Sequence, residues 1–164
     1  MNEMNVNLVE VPPMKMVSFH GFGTGPEDLA LAAMHEWARK HQYFKGDHPR
    51  CFGFNNPDPT PGSPNYGYEI WLVIPQEVAV DDATEKQFPG GTYARTHCEG
   101  QMQDAGDFIP AAWKKLMEWL ENSSYQLGKH QWMEEHLADD GLTLPDMDNL
   151  GKLSLDLYLP VKKV

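Results

Sequence analysis

Val11-Pro12-Pro13-Met14-Lys15-Met16-Val17-Ser18-Phe19-His20-Gly21-Phe22-Gly23 aligns without gaps on Phe88-Pro89-Gly90-Gly91-Thr92-Tyr93-Ala94-Arg95-Thr96-His97-Cys98-Glu99-Gly100. The offset is 77 residues, and the identities are one Pro, one His and one Gly. The spacing says more than the identities. An apolar strand followed by a Gly stop recurs once in each half of the chain.

The segment after each copy also recurs. Beyond the first, Ala30, Ala33, Met34, Trp37 and Ala38 make an i, i+3, i+4 helical stripe. Pro26 suits the first turn, and Glu27 and Asp28 complement the helix N-terminus. Beyond the second, Ile109, Ala112, Trp113, Leu116 and Leu120 make the same stripe, with Asp107 as the expected cap and Pro110 in the first turn. Gly21 to Gly25 reads as the strand-to-helix turn. Each half then closes with strands. The first has Arg50–Phe54 and Tyr66–Pro75, and the second has Tyr125–Leu137 and Leu153–Pro160. Two strand–helix–strand–strand units, about residues 6–80 and 86–163, therefore form one α+β domain over residues 1–164. The expected architecture is an antiparallel sheet with two helices on one face and a ligand groove on the other. Asn55–Asn65, with four prolines, reads as a hairpin loop or a lid, and Asp139–Leu150 as a second such loop.

Strand alternation sorts the side chains into two sets. Tyr68, Ile70, Leu72 and Ile74 share one face, as do Leu153, Leu155, Leu157 and Leu159. These apolar faces are expected against the helices. Glu69, Trp71, Asp156 and Tyr158 point the other way. If Met133 and Leu137 also face the helices, Trp132, Glu134 and His136 join that second face. Aromatic rings mixed with carboxylates suit an organic cation. Each ring contributes about 0.5–2 kcal/mol of cation–π attraction, and an acid supplies the counter-charge. Alternation alone ranks Glu69 and Glu134 equally.

Other chemistries find no pattern. His35-Glu36 lacks a second His, because Arg39 stands there. His130, Glu134 and His136 are spread too far along one strand for a metal site, so no metal and no cofactor is expected. Two distant cysteines make neither a disulfide framework nor a zinc ribbon. The helical Met34, Trp37, Trp113 and Trp119 are expected in the core, with Trp37 and Trp119 able to reach a pocket edge. The net charge of -11 argues against nucleic acid and against an anionic membrane as partners. The N-terminus lacks the pattern of a secretory signal, so a cytoplasmic location is expected.

Pro61-Gly62-Ser63-Pro64-Asn65-Tyr66-Gly67-Tyr68-Glu69-Ile70-Trp71 resembles the GyrI-like small-molecule-binding domain, the effector-binding module of AraC-type and MerR-type multidrug-responsive activators. So do Phe88–Ala94, Trp132-Met133-Glu134-Glu135-His136 and Leu155–Pro160. The resemblance runs from about Val6 to Lys163 and implies an aromatic-lined groove between the halves. It places the ligand carboxylate at Glu134, puts His136 where a Tyr is commoner, and matches Glu69 to the Tyr-Glu-x-Trp pattern of a subset of the family; Tyr68 and Tyr93 complete the expected ligand set. The first strand begins too near Met1 for a preceding DNA-binding region, so the chain resembles the stand-alone members. That implies a binding domain for amphipathic, cationic or aromatic small molecules. It also leaves open a hydrolase of cyclopropanoid-type electrophiles with Glu134 as general base, or a gyrase-inhibitor-like interaction with an unidentified protein partner.

Overall fold

The strand order of the sheet reads the same from either end. The computed structural model describes residues 5–41, 50–137 and 151–164, so the expected Asp139–Leu150 loop lies outside the described residues. The elements are β1 (Val6–Val11), β2 (Met14–Gly23), α1 (Pro26–Lys40), β3 (Cys51–Asn55), β4 (Tyr66–Ile74) and β5 (Thr84–Phe88). They continue with β6 (Gly91–Gln101), a 3-10 turn (Met102–Asp104), α2 (Ala105–Glu121), β7 (Tyr125–Leu127), β8 (Met133–Leu137) and β9 (Lys152–Lys163). The antiparallel order is β1-β6-β9-β8-β3-β4-β2-β5, and β7 also pairs with β9. Matching β1 with β5, β2 with β6, β3 with β8 and β4 with β9 leaves that order unchanged. The centre of symmetry is the short β3–β8 seam, where Phe52 opposes Glu135 and Gly53 opposes Glu134.

Chain connectivity makes the sheet curl. Only Pro12 and Pro13 separate β1 from β2, although the two lie near opposite ends of the order. So short a link holds Val11 and Met14 within about 11 Å. Pro89 and Gly90 do the same between β5 and β6. Gly90 has φ of 85°, and a β-carbon there would lie 2.8 Å from the Val11 carbonyl oxygen. A side chain would force this corner open.

The curl encloses an apolar core on the helix-free face. Met14 and Met16, Phe52 and Phe88, and Tyr93, Met133 and Tyr158 meet there, all buried. The helix-bearing face carries two further cores. Ala30, Leu31, Met34 and Trp37 of α1 pack on Val17, Ile70, Leu72 and Ile74. Ala112, Leu116 and Leu120 of α2 pack on the four β9 leucines. Each such fully buried aliphatic side chain contributes about 1.5–3 kcal/mol by transfer from water. Because α1 lies over β2 and β4 and α2 over β6 and β9, the β3–β8 seam is left between the helices.

Three expectations change. α2 begins at Ala105, so Asp107 lies in its first turn rather than capping it, and Pro110 lies inside the helix. The expected Tyr125–Leu137 strand is two strands, β7 and β8, with residues 128–132 outside the sheet. The third change arises from that break. β8 starts at Met133, whose side chain enters the enclosed core beside Phe52 and Tyr158. Alternation then turns Glu134 and His136 toward the helices, the reverse of the expected assignment. No helix among the described residues is long and apolar enough to cross a membrane.

Candidate ligand-binding site

The seam groove is built on a missing side chain. Gly53 opposes Glu134 across the β3–β8 pair, and the Tyr68 ring lies over it. A β-carbon on residue 53 would sit 2.2 Å from the Tyr68 hydroxyl. A glycine inside a strand marks such a close approach. It lets the Tyr68 hydroxyl lie 3.0 Å from Glu134 Oε1 and 2.9 Å from His136 Nε2. From α2, the Trp113 indole N–H donates to Glu134 Oε2 at 3.0 Å.

Donor counting fixes the direction of this chain. Tyr68 has one proton, and an ionised carboxylate can only accept. The hydroxyl therefore donates to Glu134, and His136 Nε2–H donates to the Tyr68 oxygen. His136 Nδ1 then keeps its lone pair, and it has no partner among the described residues. A bare lone pair suits a neutral ring, and burial lowers the His136 pKa to about 4.

Glu134 sits low in the groove, surrounded by protein and touching solvent through the opening. Burial raises its pKa, and the hydrogen bonds from Trp113 and Tyr68 only partly oppose that. The Glu27 carboxylate on α1 adds to the rise. Glu27 is held in place by the Tyr66 hydroxyl, which donates to it at 2.6 Å. No Lys or Arg forms an ion pair with Glu134 among the described residues.

The groove has a volume of about 480 Å³, within the range of small-molecule sites. Trp113 and Trp132 form one wall, with ring centroids 5.5 Å apart. Gly53, Phe54, Asn55 and Asp58 line the other side of the seam, and Gln131 adjoins Trp132. Trp132 is 37% exposed, so its ring is open to a ligand.

The other candidates lie across the sheet. Glu69 accepts from Ser18 Oγ at 2.8 Å, from Asn56 Nδ2 at 3.0 Å and from the Trp71 indole. Burial alone would raise its pKa, but these three donors hold it below the usual carboxylate range. Trp71 packs edge-on against Phe54 with centroids 4.7 Å apart. Tyr158 donates to Glu135 Oε1 at 2.6 Å, and Arg50 Nε donates to Glu135 Oε2 at 2.8 Å. The Tyr93 hydroxyl donates to the Gln131 carbonyl at 2.8 Å. Asp156 pairs with His97 Nδ1 at 2.9 Å.

The nine sequence candidates are thus divided. Glu134, Tyr68, His136 and Trp132 come together at the seam. Glu69, Trp71, Tyr93, Tyr158 and Asp156 lie on the opposite face, where the first four are tied into the curled sheet's own packing. Trp113, expected in the core, packs against the α2 core and also lines the groove, while Trp37 is in the core. Trp119 stacks on Tyr125. A larger cleft of about 580 Å³ lies among β1, β6 and α2, lined by Arg95, His97, Phe108 and Lys115 among others. It mixes both charge signs and lacks the indole wall. Of these two cavities, the seam groove is the one that joins a partly buried acid, without an ion-pair partner among the described residues, to a wall of indole rings.

The profile of integron-associated effector binding proteins matches residues 7–161. The chain belongs to that family. No curated protein matches the chain. Among solved structures, this integron-associated effector binding protein is similar to the EcmrR C-terminal domain. The identity is 16% and the TM-score 0.65, over 99% of this chain and 100% of that one. It is similar to a hydrolase from Listeria innocua at 15% identity and a TM-score of 0.65, over 99% and 94% of the two chains. It is also similar to SAV2435 bound to tetraphenylphosphonium, at 11% identity and a TM-score of 0.53, over 97% and 94%. In an EcmrR–DNA complex the match covers 98% of this chain but 58% of that chain. At these identities the likenesses establish the fold.

Proposed function

We propose that the seam groove binds amphipathic organic cations, with Glu134 as the counter-charge and the Trp113–Trp132 wall as the aromatic surface. One observation carries this reading. A partly buried carboxylate at the groove floor is aligned by two donors and forms no ion pair with a protein cation among the described residues. An unpaired charge in such a place is costly, and a ligand cation offsets the cost. Membership of an effector-binding family supports it. So does the bound tetraphenylphosphonium of SAV2435, itself an organic cation. Glu69 is the weaker candidate, because its own donors already satisfy it. In this reading the domain acts in the cytoplasm by sensing or sequestration, and binds neither nucleic acid nor membrane itself. The net charge of -11 agrees.

The test is fluorescence titration with a cationic dye. Glu134→Gln is expected to weaken binding at least tenfold, while Glu69→Gln leaves it within about twofold. Unchanged affinity in Glu134→Gln overturns the proposal. The raised pKa of Glu134 also favours a second reading, a hydrolase in which this acid activates water against a strained electrophilic ring. Mass spectrometry of a cyclopropanoid compound separates the two. Turnover abolished in Glu134→Gln supports hydrolysis, and bound compound without product opposes it.

A further inference from the structure

We infer that the groove prefers dications, with Asp58, which lines the same cavity as Glu134, as a second anionic contact. The inference rests on the proposed reading of the groove and names its ligand class more narrowly. Its basis is the make-up of the lining. Glu134 enters from β8, and Asp58 enters from the β3–β4 hairpin. Among the described residues, no Lys, Arg or His lines the same cavity. Asp58 makes no hydrogen bond and no ion pair with any described residue. Its carboxylate is free to meet a ligand.

Asp58 is also anchored. The hairpin base is closed by two backbone hydrogen bonds, Asn56 N–H to the Gly67 carbonyl at 2.8 Å and Gly67 N–H to the Pro57 carbonyl at 2.9 Å. The Asn56 side chain is tied down again by its bond to Glu69. Gly67 permits this packing, since a β-carbon there would lie 1.9 Å from the Asn56 carbonyl oxygen. Asp58 therefore comes directly after a fixed segment. The Glu27 carboxylate adds a third negative charge whose field reaches Glu134. A monocation seated on Glu134 leaves Asp58 unneutralised at the same cavity. A flat aromatic cation with a second ammonium on a short arm answers both acids while its rings cover the indole wall.

Ethidium and propidium test this directly, because they share one phenanthridinium ring and propidium carries an added quaternary ammonium arm. Both are titrated at low ionic strength, where an exposed charge pair is least screened. Propidium is expected to bind wild type about three- to fivefold more tightly than ethidium, the scale of one exposed ion pair. Asp58→Asn should remove that preference and leave ethidium affinity within about twofold. Glu134→Gln should weaken both dyes. If the propidium-to-ethidium ratio is the same in wild type and Asp58→Asn while both dyes still depend on Glu134, the dication inference fails and the groove reading stands. If neither dye binds, or neither responds to Glu134→Gln, the groove reading fails and this inference falls with it.

Discussion

Replacing Gly53 with alanine puts a methyl group where the Tyr68 ring already lies. The new carbon would be 2.2 Å from the hydroxyl and 2.5 Å from two ring carbons. Tyr68 cannot swing away cheaply. It is 2% exposed, and its hydroxyl is held by both Glu134 and His136. Overpacking a tight core costs about 1–3 kcal/mol. Losing a hydrogen bond to a charged group costs about 1.5–3 kcal/mol more. These terms overlap, so the expected destabilisation is about 3 kcal/mol. With a urea m-value of about 2 kcal/mol/M, the midpoint should fall by about 1.5 M. Dye affinity should fall too, since Glu134 loses one of its two aligning donors. Gly106→Ala is the control. Nothing lies within 4 Å of a β-carbon there, and the residue is helical. That change should stabilise by about 0.5–1 kcal/mol. A Gly53→Ala protein within about 0.5 kcal/mol of wild type, with unaltered dye affinity, would refute the packing of Tyr68 over the seam.

Other perturbations reach different parts of the molecule. NMR titration of His136 should give a midpoint of about 4, because burial disfavours its charged form. The sign is that of a depressed pKa: the stabilisation is complete above 6.5 and is lost as pH falls toward 4. A midpoint at or above 6.5 would contradict the buried placement. Glu134 has the opposite sign. Its pKa is raised, so the ionised acid costs stability at neutral pH and the cost vanishes as pH falls through its folded value to below 4.5. Glu134→Gln should therefore match or exceed wild-type stability at neutral pH in urea unfolding, and lose that advantage in acid; a large loss at neutral pH would show that the carboxylate stabilises the fold. Arg50→Ala strands Glu135, which is 7% exposed, and should cost about 2–4 kcal/mol without altering dye binding. A cost below about 0.5 kcal/mol would mean the pair is solvated.

The fold was legible because its signals were periodic. The β9 leucines at every second position and the two helical stripes each demanded one buried face, and the structure gives them one. The α+β sheet with both helices on one face came from those patterns. The site was only half legible, and the reason is local. A period of two assigns faces only relative to a fixed start. Residues 128–132 break from the sheet, so β8 takes its phase from Met133 entering the enclosed core. Alternation carried through that break sends Glu134 and His136 to the wrong side and groups them with Glu69 and Trp71. The curl itself is invisible to periodicity. It arises from the two-residue links Pro12-Pro13 and Pro89-Gly90, and it converts Tyr93 and Tyr158 from wall residues into core. Trp113 gave no signal, since a groove-lining Trp on a helical stripe reads the same as a core one. Gly53 did give one. A glycine between Phe52 and Phe54 in an apolar strand marks the point where another side chain must approach.

The most direct measurement is a crystal structure of the protein soaked with tetraphenylphosphonium. The proposed site predicts density in the seam groove, with the phosphonium centre nearest Glu134 and a phenyl ring against Trp113 or Trp132. Density against the Glu69–Trp71 face, or none in the groove at saturating concentration, would contradict it.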